Sequence, residues 1–155
     1  MSKSLKRVKA ALEEFGLSTE IKDAPNTKTA LEAAQSVGCA LDQIAKSIIF
    51  ARSDTGLPVL FITAGGNKVD PSKASALVGV ELGRADASLI RSHTGFAIGG
   101  VSPIGHLGPI DAFFDPKLLE FSEIYAAAGT PNHLFGVDPR VLQKIIDAKV
   151  SDFIQ

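Results

Sequence analysis

Two apolar, β-rich runs place the strongest constraint on how this chain can fold. Ser47-Ile-Ile-Phe-Ala-Arg-Ser53 and Leu57-Pro-Val-Leu-Phe-Ile-Thr63 are separated only by Asp54-Thr-Gly56, a turn signal. Such a pair reads as a β-hairpin. A hairpin brings antiparallel pairing into the sheet, so a strictly alternating parallel architecture is disfavoured.

The remaining segments mix helices with short strands. Leu5, Val8, Leu12 and Phe15 recur at helical spacing, and Gly16 stops that helix. Ser18 to Asp23 reads as extended ahead of Ala24-Pro25. Thr29-Ala-Leu-Glu32 is a capping-box pattern that opens a second helix through about Val37, closed by Gly38. Asp70-Pro71 and Asp138-Pro139 each pair an N-cap with a proline at the first helical position. A short helix is expected from Ala87 to Ser92, and short strands near Val80–Leu82, Pro109–Phe114, Glu123–Ala127, His133–Val137 and Val150–Ile154. The expected fold is α+β, a mixed, largely antiparallel sheet with flanking helices.

With 155 residues the chain is expected to form one domain, residues 1–155. Hydrophobic residues make up 45% and charged residues 21%, an ordinary globular balance. No apolar run approaches the ~20 residues of a membrane span. The basic start has no apolar segment behind it, so no signal peptide is expected. Cys39 is the single cysteine, which fits a cytoplasmic protein without internal disulfides. Among apolar neighbours it reads as a small buried hydrophobe rather than a nucleophile. The net charge of −1 argues against a broad nucleic-acid footprint, while leaving room for contact with a few phosphates.

The chemistry concentrates in Phe96-Ala-Ile-Gly-Gly-Val-Ser-Pro-Ile-Gly-His106. Glycines permit close backbone approach and positive φ, and Pro103 fixes a turn. The segment reads either as a ligand-binding loop working through main-chain N–H groups or as a strand ending in a tight turn. Ser102 does not match the Gly-x-Ser-x-Gly elbow, and no phosphate-binding or dinucleotide-binding glycine motif is present. His93, His106 and His133 lack metal-ligand spacing, so no metal and no cofactor are expected. Lys46 enters an uncharged strand, either as a rim residue whose stem snorkels or as a placed cation for phosphate or carboxylate. Ala64-Gly-Gly-Asn-Lys-Val-Asp70 reads as a plain strand-to-helix connection. The basic cluster Lys3, Lys6, Arg7 and Lys9 reads as a solvated helix face more readily than as a tRNA contact.

Thr29-Ala-Leu-Glu-Ala-Ala34, Ala45-Lys46-Ser47, Gly-Gly-Val-Ser-Pro-Ile-Gly-His106 and Ala-Ala-Gly-Thr-Pro-Asn-His133 follow one another in an order that resembles the YbaK/prolyl-tRNA synthetase-associated editing domains. The resemblance runs from about Leu5 to Phe153. It implies a curved mixed sheet and hydrolysis of the ester between a wrong amino acid and the terminal adenosine of tRNA, most often the tRNA for proline. It implies catalytic roles for Lys46, Gly99 and Gly100. Substrate contacts are implied at Thr29, Val101, Ser102, Pro103, His106, Gly129 and His133. Backbone N–H groups of the two glycines would stabilise the oxyanion, and a ribose hydroxyl of the substrate would help activate water, so no protein triad is needed. The implied partner is the acceptor end of a mischarged tRNA; docking on prolyl-tRNA synthetase stays open, and a monomer is the default. One free-standing subgroup removes cysteine and lacks a histidine at the end of this loop. His106 departs from that pattern and leans towards alanine or 2-aminobutyrate. The alternative is a non-catalytic tRNA- or synthetase-binding module of the same fold.

Overall fold

A computed structural model describes residues 2–17, 20–25 and 27–155. Helices and strands alternate irregularly along it. They run α1 (Lys3–Glu14), β1 (Ile21–Asp23), α2 (Ala30–Val37), β2 (Ile44–Arg52), β3 (Pro58–Ala64), α3 (Pro71–Val78), β4 (Leu82–Arg84) and α4 (Ala87–Thr94). Then come β5 (Asp111–Phe114), β6 (Ile124–Ala127), β7 (His133–Val137), α5 (Pro139–Ile145) and β8 (Lys149–Val150). Short 3-10 turns occupy Leu41–Gln43 and Pro116–Glu120.

Local chemistry explains the helix starts. Ser2, Thr29, Asp70, Asp86 and Asp138 each accept a backbone N–H of the first helical turn, so every α-helix among the described residues carries a side-chain cap. Each cap contributes ~1 kcal/mol. Asp115-Pro116 uses the same device on a 3-10 turn. Glycines in the left-handed conformation, Gly38, Gly79 and Gly95, end α2, α3 and α4.

The strands form one mixed sheet in the order β1-β7-β6-β2-β3-β5-β8, with β4 added to β2. Four pairings are antiparallel and three are parallel. β2 is the organising strand. Its inner edge pairs with β3 from Ala45 to Ala51. Its outer edge is divided: Ile44 and Ala45 pair with β6, Phe50 to Arg52 pair with β4, and among the described residues no strand pairs with Lys46 to Ile49 on that edge.

Side chains alternate across this strand, as pleating requires. Ala45, Ile49 and Ala51 join the main core with Leu60, Ile62 and Phe114 of the sheet and Val8 and Leu12 of α1. The opposite face carries two smaller patches. Ile44 packs with Ala33 and Ala34 of α2, and Ile48 and Phe50 pack with Phe61, Phe113 and Phe153. Lys46 projects between those patches.

The hairpin and the expected helices are present, with shifted boundaries. β2 begins at Ile44, so Lys46 lies inside the strand rather than ahead of it. β4 sits at Leu82–Arg84 instead of residues 80–82. β5 starts at Asp111; Pro109 has no N–H for a ladder, and its carbonyl oxygen lies 2.6 Å from His93 Nε2. β8 is Lys149–Val150, and Ile154 makes only an isolated bridge to Val69. Phe15 falls just after α1 and is 46% exposed, outside the apolar face it was expected to extend. Of the extended run expected before Pro25, Ser18 and Thr19 lie outside the described residues.

Candidate active site

A cavity of about 340 Å³ opens at the division in the sheet. Residues 44–48 of β2 form its back wall, Ile98, Gly99 and Val101 one side, and Thr29, Ala30 and Ala33 of α2 the other. Thr27, Lys28, Ala127, Thr130, Pro131 and Leu134 complete it. A second depression of about 390 Å³, lined by Arg52, Asp111 and Asp147, contains none of the expected site residues.

The loop from Ala97 to Val101 is built by turn chemistry. Gly100 N–H donates to Ala97 O at 3.0 Å, and Gly99 between them has φ +90°. Positive φ at the third residue of a turn favours glycine there. A Cβ on Gly99 would meet nothing within 4 Å, whereas one on Gly100 would stand 2.8 Å from the Thr130 backbone. The two glycines therefore have different jobs. Gly99 shapes a turn open to the cavity, and Gly100 lets that turn lie against the Gly129–Asn132 segment. The N–H of Gly100, expected to face a substrate carbonyl, donates within the turn instead.

Arg7 holds this loop from behind. Its Nε donates to Gly105 O at 2.8 Å and a terminal guanidinium nitrogen donates to Gly95 O at 2.6 Å. The same guanidinium lies 4.6 Å from the Phe96 ring centroid. One rigid planar fork thus bridges both ends of the loop. Nothing in the helical periodicity separates Arg7 from Lys3, Lys6 and Lys9, so its inward role is invisible in the sequence.

Lys46 stands on a prepared support. Its Nζ donates to Asn67 O at 2.7 Å. Asn67 Nδ2 donates to Asp115 Oδ2 at 2.9 Å, and the same oxygen accepts Ala64 N–H at 3.0 Å. Asp115 is buried, and these donors satisfy it. Burial lowers the Lys46 pKa below the ordinary lysine value, and Lys68 lowers it further; Asp115 and Asp42 oppose the shift. The second glycine loop is therefore more than a connection, because its Asn67 carbonyl positions Lys46.

Of the expected site residues, the cavity brings together Thr29, Lys46, Gly99 and Val101. Thr29 also caps α2 and donates to Glu32 Oε1 at 3.2 Å. Ser102, Pro103, His106, Gly129 and His133 do not line it. Ser102 is fully buried, its Oγ accepting Ile104 N–H at 3.1 Å. Pro103 is buried beside it. His106 Nε2 lies 2.5 Å from Ser102 O, with the ring edge-on to Phe96. Burial, above all, lowers the His106 pKa. Gly129, at φ +91°, leaves no room for a Cβ, which would stand 2.7 Å from Ser4 O. His133 Nδ1 contacts Thr130 Oγ1 at 2.6 Å and its Nε2 contacts Asp23 Oδ1 at 3.2 Å. These five residues lie outside the cavity lining and meet neighbouring groups of the chain. Cys39 is half-buried at the end of α2, and burial raises its thiol pKa, against a nucleophilic role.

An α+β sheet with a divided central edge, a glycine turn and a half-buried lysine define the class. The family model for the aminoacyl-tRNA editing domain matches residues 24–145, and the chain belongs to that family. Among known proteins it is similar to YwhH of Bacillus subtilis (strain 168), 27% identical over 148 residues and covering 95% of this chain and 94% of that protein. A crystal structure of a candidate trans-editing enzyme for prolyl tRNA synthetase superposes with a TM-score of 0.93 at 42% identity, covering 100% of this chain and 99% of that one. The structure of protein APE2540 superposes with a TM-score of 0.87 at 25% identity, over 96% of this chain and 99% of that one. No helix among the described residues is long and apolar enough to cross a membrane.

Proposed function

We propose that this chain is an aminoacyl-tRNA deacylase acting in trans on mischarged tRNA, with tRNA for proline carrying a small amino acid as the substrate class. The observation that carries this reading is the cavity itself. It sets a lysine and a glycine turn around an apolar space, without a Ser–His or Cys–His pair among its lining residues.

The reaction asks little of side chains. Water adds to the ester carbonyl carbon, and the carbonyl oxygen becomes negative. The Gly99 N–H stands at the turn where that oxygen would lie, and one such donor contributes ~3–4 kcal/mol. The neighbouring ribose hydroxyl takes the proton of the attacking water and passes one to the departing sugar oxygen. The carbon–oxygen ester bond breaks, releasing free amino acid and tRNA with its hydroxyl restored. Lys46 supplies a fixed positive charge for the acceptor-end phosphate. Walls of Ala30, Ala33, Ala127 and Val101 suit a small side chain such as that of alanine, 2-aminobutyrate or cysteine. Such walls discriminate one methylene by only ~1–3 kcal/mol.

The test is deacylation of alanyl-, cysteinyl- and prolyl-tRNA for proline. Release of the small amino acids with prolyl-tRNA spared is expected. Lys46→Ala should lower kcat/KM by at least about a hundredfold, roughly 3 kcal/mol, with an unchanged circular dichroism spectrum. Binding of tRNA without release of any amino acid would leave a non-catalytic module in its place.

A further inference from the structure

The division along β2 leaves polar groups that the chain itself does not satisfy. Arg52 N–H donates to Leu57 O on the β3 side, and Ser53 N–H donates to Glu81 O on the β4 side. Alternation along an unbulged strand then directs the N–H and C=O of Ala45, Ser47, Ile49 and Ala51 to the outer edge. Ala45 lies in the β6 ladder and Ala51 in the β4 ladder. Ser47 lies between them with no strand opposite, and it lines the cavity. Its Oγ is also buried, with no hydrogen-bond partner. Buried polar groups are nearly always paired, so the buried Oγ, beside an N–H and a C=O that no neighbouring strand meets, points to a partner from outside the chain.

We propose that the open edge of β2 at Ser47 is a binding subsite for the purine base of the substrate's terminal adenosine, a proposal that rests on the deacylase reading above. The edge offers one donor and one acceptor side by side in the plane of the sheet. An α-ammonium group carries donors only and leaves the Ser47 N–H unanswered. Adenine matches both: N1 accepts from Ser47 N–H, and the exocyclic amino group donates to Ser47 C=O. The base would enter the sheet where a strand is missing, as an added strand does elsewhere. The surroundings suit its apolar faces. Ile48 and Leu134 line the gap, and Ile98 is 58% exposed at its mouth, an exposure that packing within the chain does not require. Ser47 Oγ rises from the sheet on the side of Ala45 and Ile49, the side on which Val101 packs. From there it meets the ribose as the ester reaches Gly99.

The first experiment needs no turnover. The full chain, labelled with ¹⁵N, is titrated with millimolar adenosine monophosphate and separately with inosine monophosphate. In the orientation that the sugar sets for adenosine, inosine inverts the pattern, presenting N1–H to the strand N–H and a carbonyl to the strand C=O. The Ser47 amide is expected to shift with the adenine nucleotide and to stay in place with inosine. The second experiment compares alanyl-tRNA ending in adenosine or in inosine, with at least a tenfold lower kcat/KM expected for the latter. Ser47→Ala should lower kcat/KM several-fold while leaving Tm unchanged or raised, because removing an unpartnered buried hydroxyl costs the free protein nothing. Ser47→Thr should recover activity. If adenosine- and inosine-ended tRNA turn over equally and the Ser47 amide does not move, the subsite is wrong even though the deacylase stands. If the amide shifts with adenine alone and no tRNA is deacylated, the subsite stands and the deacylase reading fails.

Discussion

Two glycine loops reach towards Lys46 and Ser47, and they work by opposite means. In the loop from Phe96 to His106, Gly99 needs its conformation: φ is +90° and a Cβ would touch nothing. In the loop from Ala64 to Asp70, the glycines need their size. A Cβ on Gly65 would stand 2.1 Å from Leu41 O, and one on Gly66 would stand 2.6 Å from Asp42 Oδ1. Gly66 N–H donates to that carboxylate at 2.8 Å. The first loop turns its backbone outward to the cavity. The second is pressed onto the 3-10 turn so that its Asn67 carbonyl can hold Lys46. Gly99 is thus open where it borders the cavity, and Gly65 and Gly66 are crowded where they support Lys46.

Paired alanine substitutions test that division most severely. Gly65→Ala should cost about 3 kcal/mol of stability, because backbone against backbone cannot yield as a side chain would. Gly99→Ala should cost ~1–2 kcal/mol for placing a Cβ at positive φ. Deacylation at equal folded fraction separates them further. Gly99→Ala should lose at least tenfold in kcat, and Gly65→Ala should lose chiefly through unfolding, read by urea titration. Full turnover in Gly99→Ala would remove that turn from the carbonyl wall.

The two loops were also unequally legible. The glycine count of residues 96–106 drew attention to the first loop, and the cavity does include Gly99 and Val101. The same count in residues 64–70 read as a connection, because nothing local says that Asn67 O meets a lysine 21 residues earlier. Elements with local causes were readable: the hairpin around Asp54-Thr-Gly56, the Asp-Pro helix starts and the Thr29 cap. The division of β2 was not. It depends on parallel pairing of Ala45 with Ala126, a partner far along the chain, and on β4 stopping at Arg84. His106 and His133 looked like pocket residues because they end glycine turns. Both instead fold back onto their own turns through Ser102 O and Thr130 Oγ1.

Arg7 gives a smaller and sharper test of how the first loop is held. Arg7→Met removes both carbonyl contacts and should cost about 1–2 kcal/mol, a drop in Tm of several degrees. Its effect on catalysis should fall on kcat, near tenfold, with KM little changed, since Arg7 touches the loop and not the cavity. Arg7→Lys should recover only part of this, because an ammonium lacks the rigid planar fork that meets Gly95 O and Gly105 O and the flat face over Phe96. An equal effect on KM would mean that α1 contacts tRNA directly.

His106 supplies the smallest effect, and its sign follows from burial. Ser102 O can only accept, so Nε2 carries a hydrogen and the proton in question is the one on Nδ1. Burial, above all, keeps the folded pKa below the ordinary value of 6.5, aided by His93 and Arg7 and opposed by the Ser102 carbonyl. The unfolded chain therefore binds this proton more readily than the folded one. The stabilising contribution is fully present above pH 6.5 and is lost as pH falls from there towards the folded pKa. The slope cannot exceed about 1.4 kcal/mol per pH unit for one group. Urea titrations between pH 7.5 and 5 should show wild type losing stability while His106→Gln, which keeps a donor for Ser102 O, loses less. The deacylation rate should follow the same difference, because the ring braces the far end of the loop whose near end is the Gly99 turn. An identical pH dependence in the two proteins would place the titrating group elsewhere and leave His106 as packing alone.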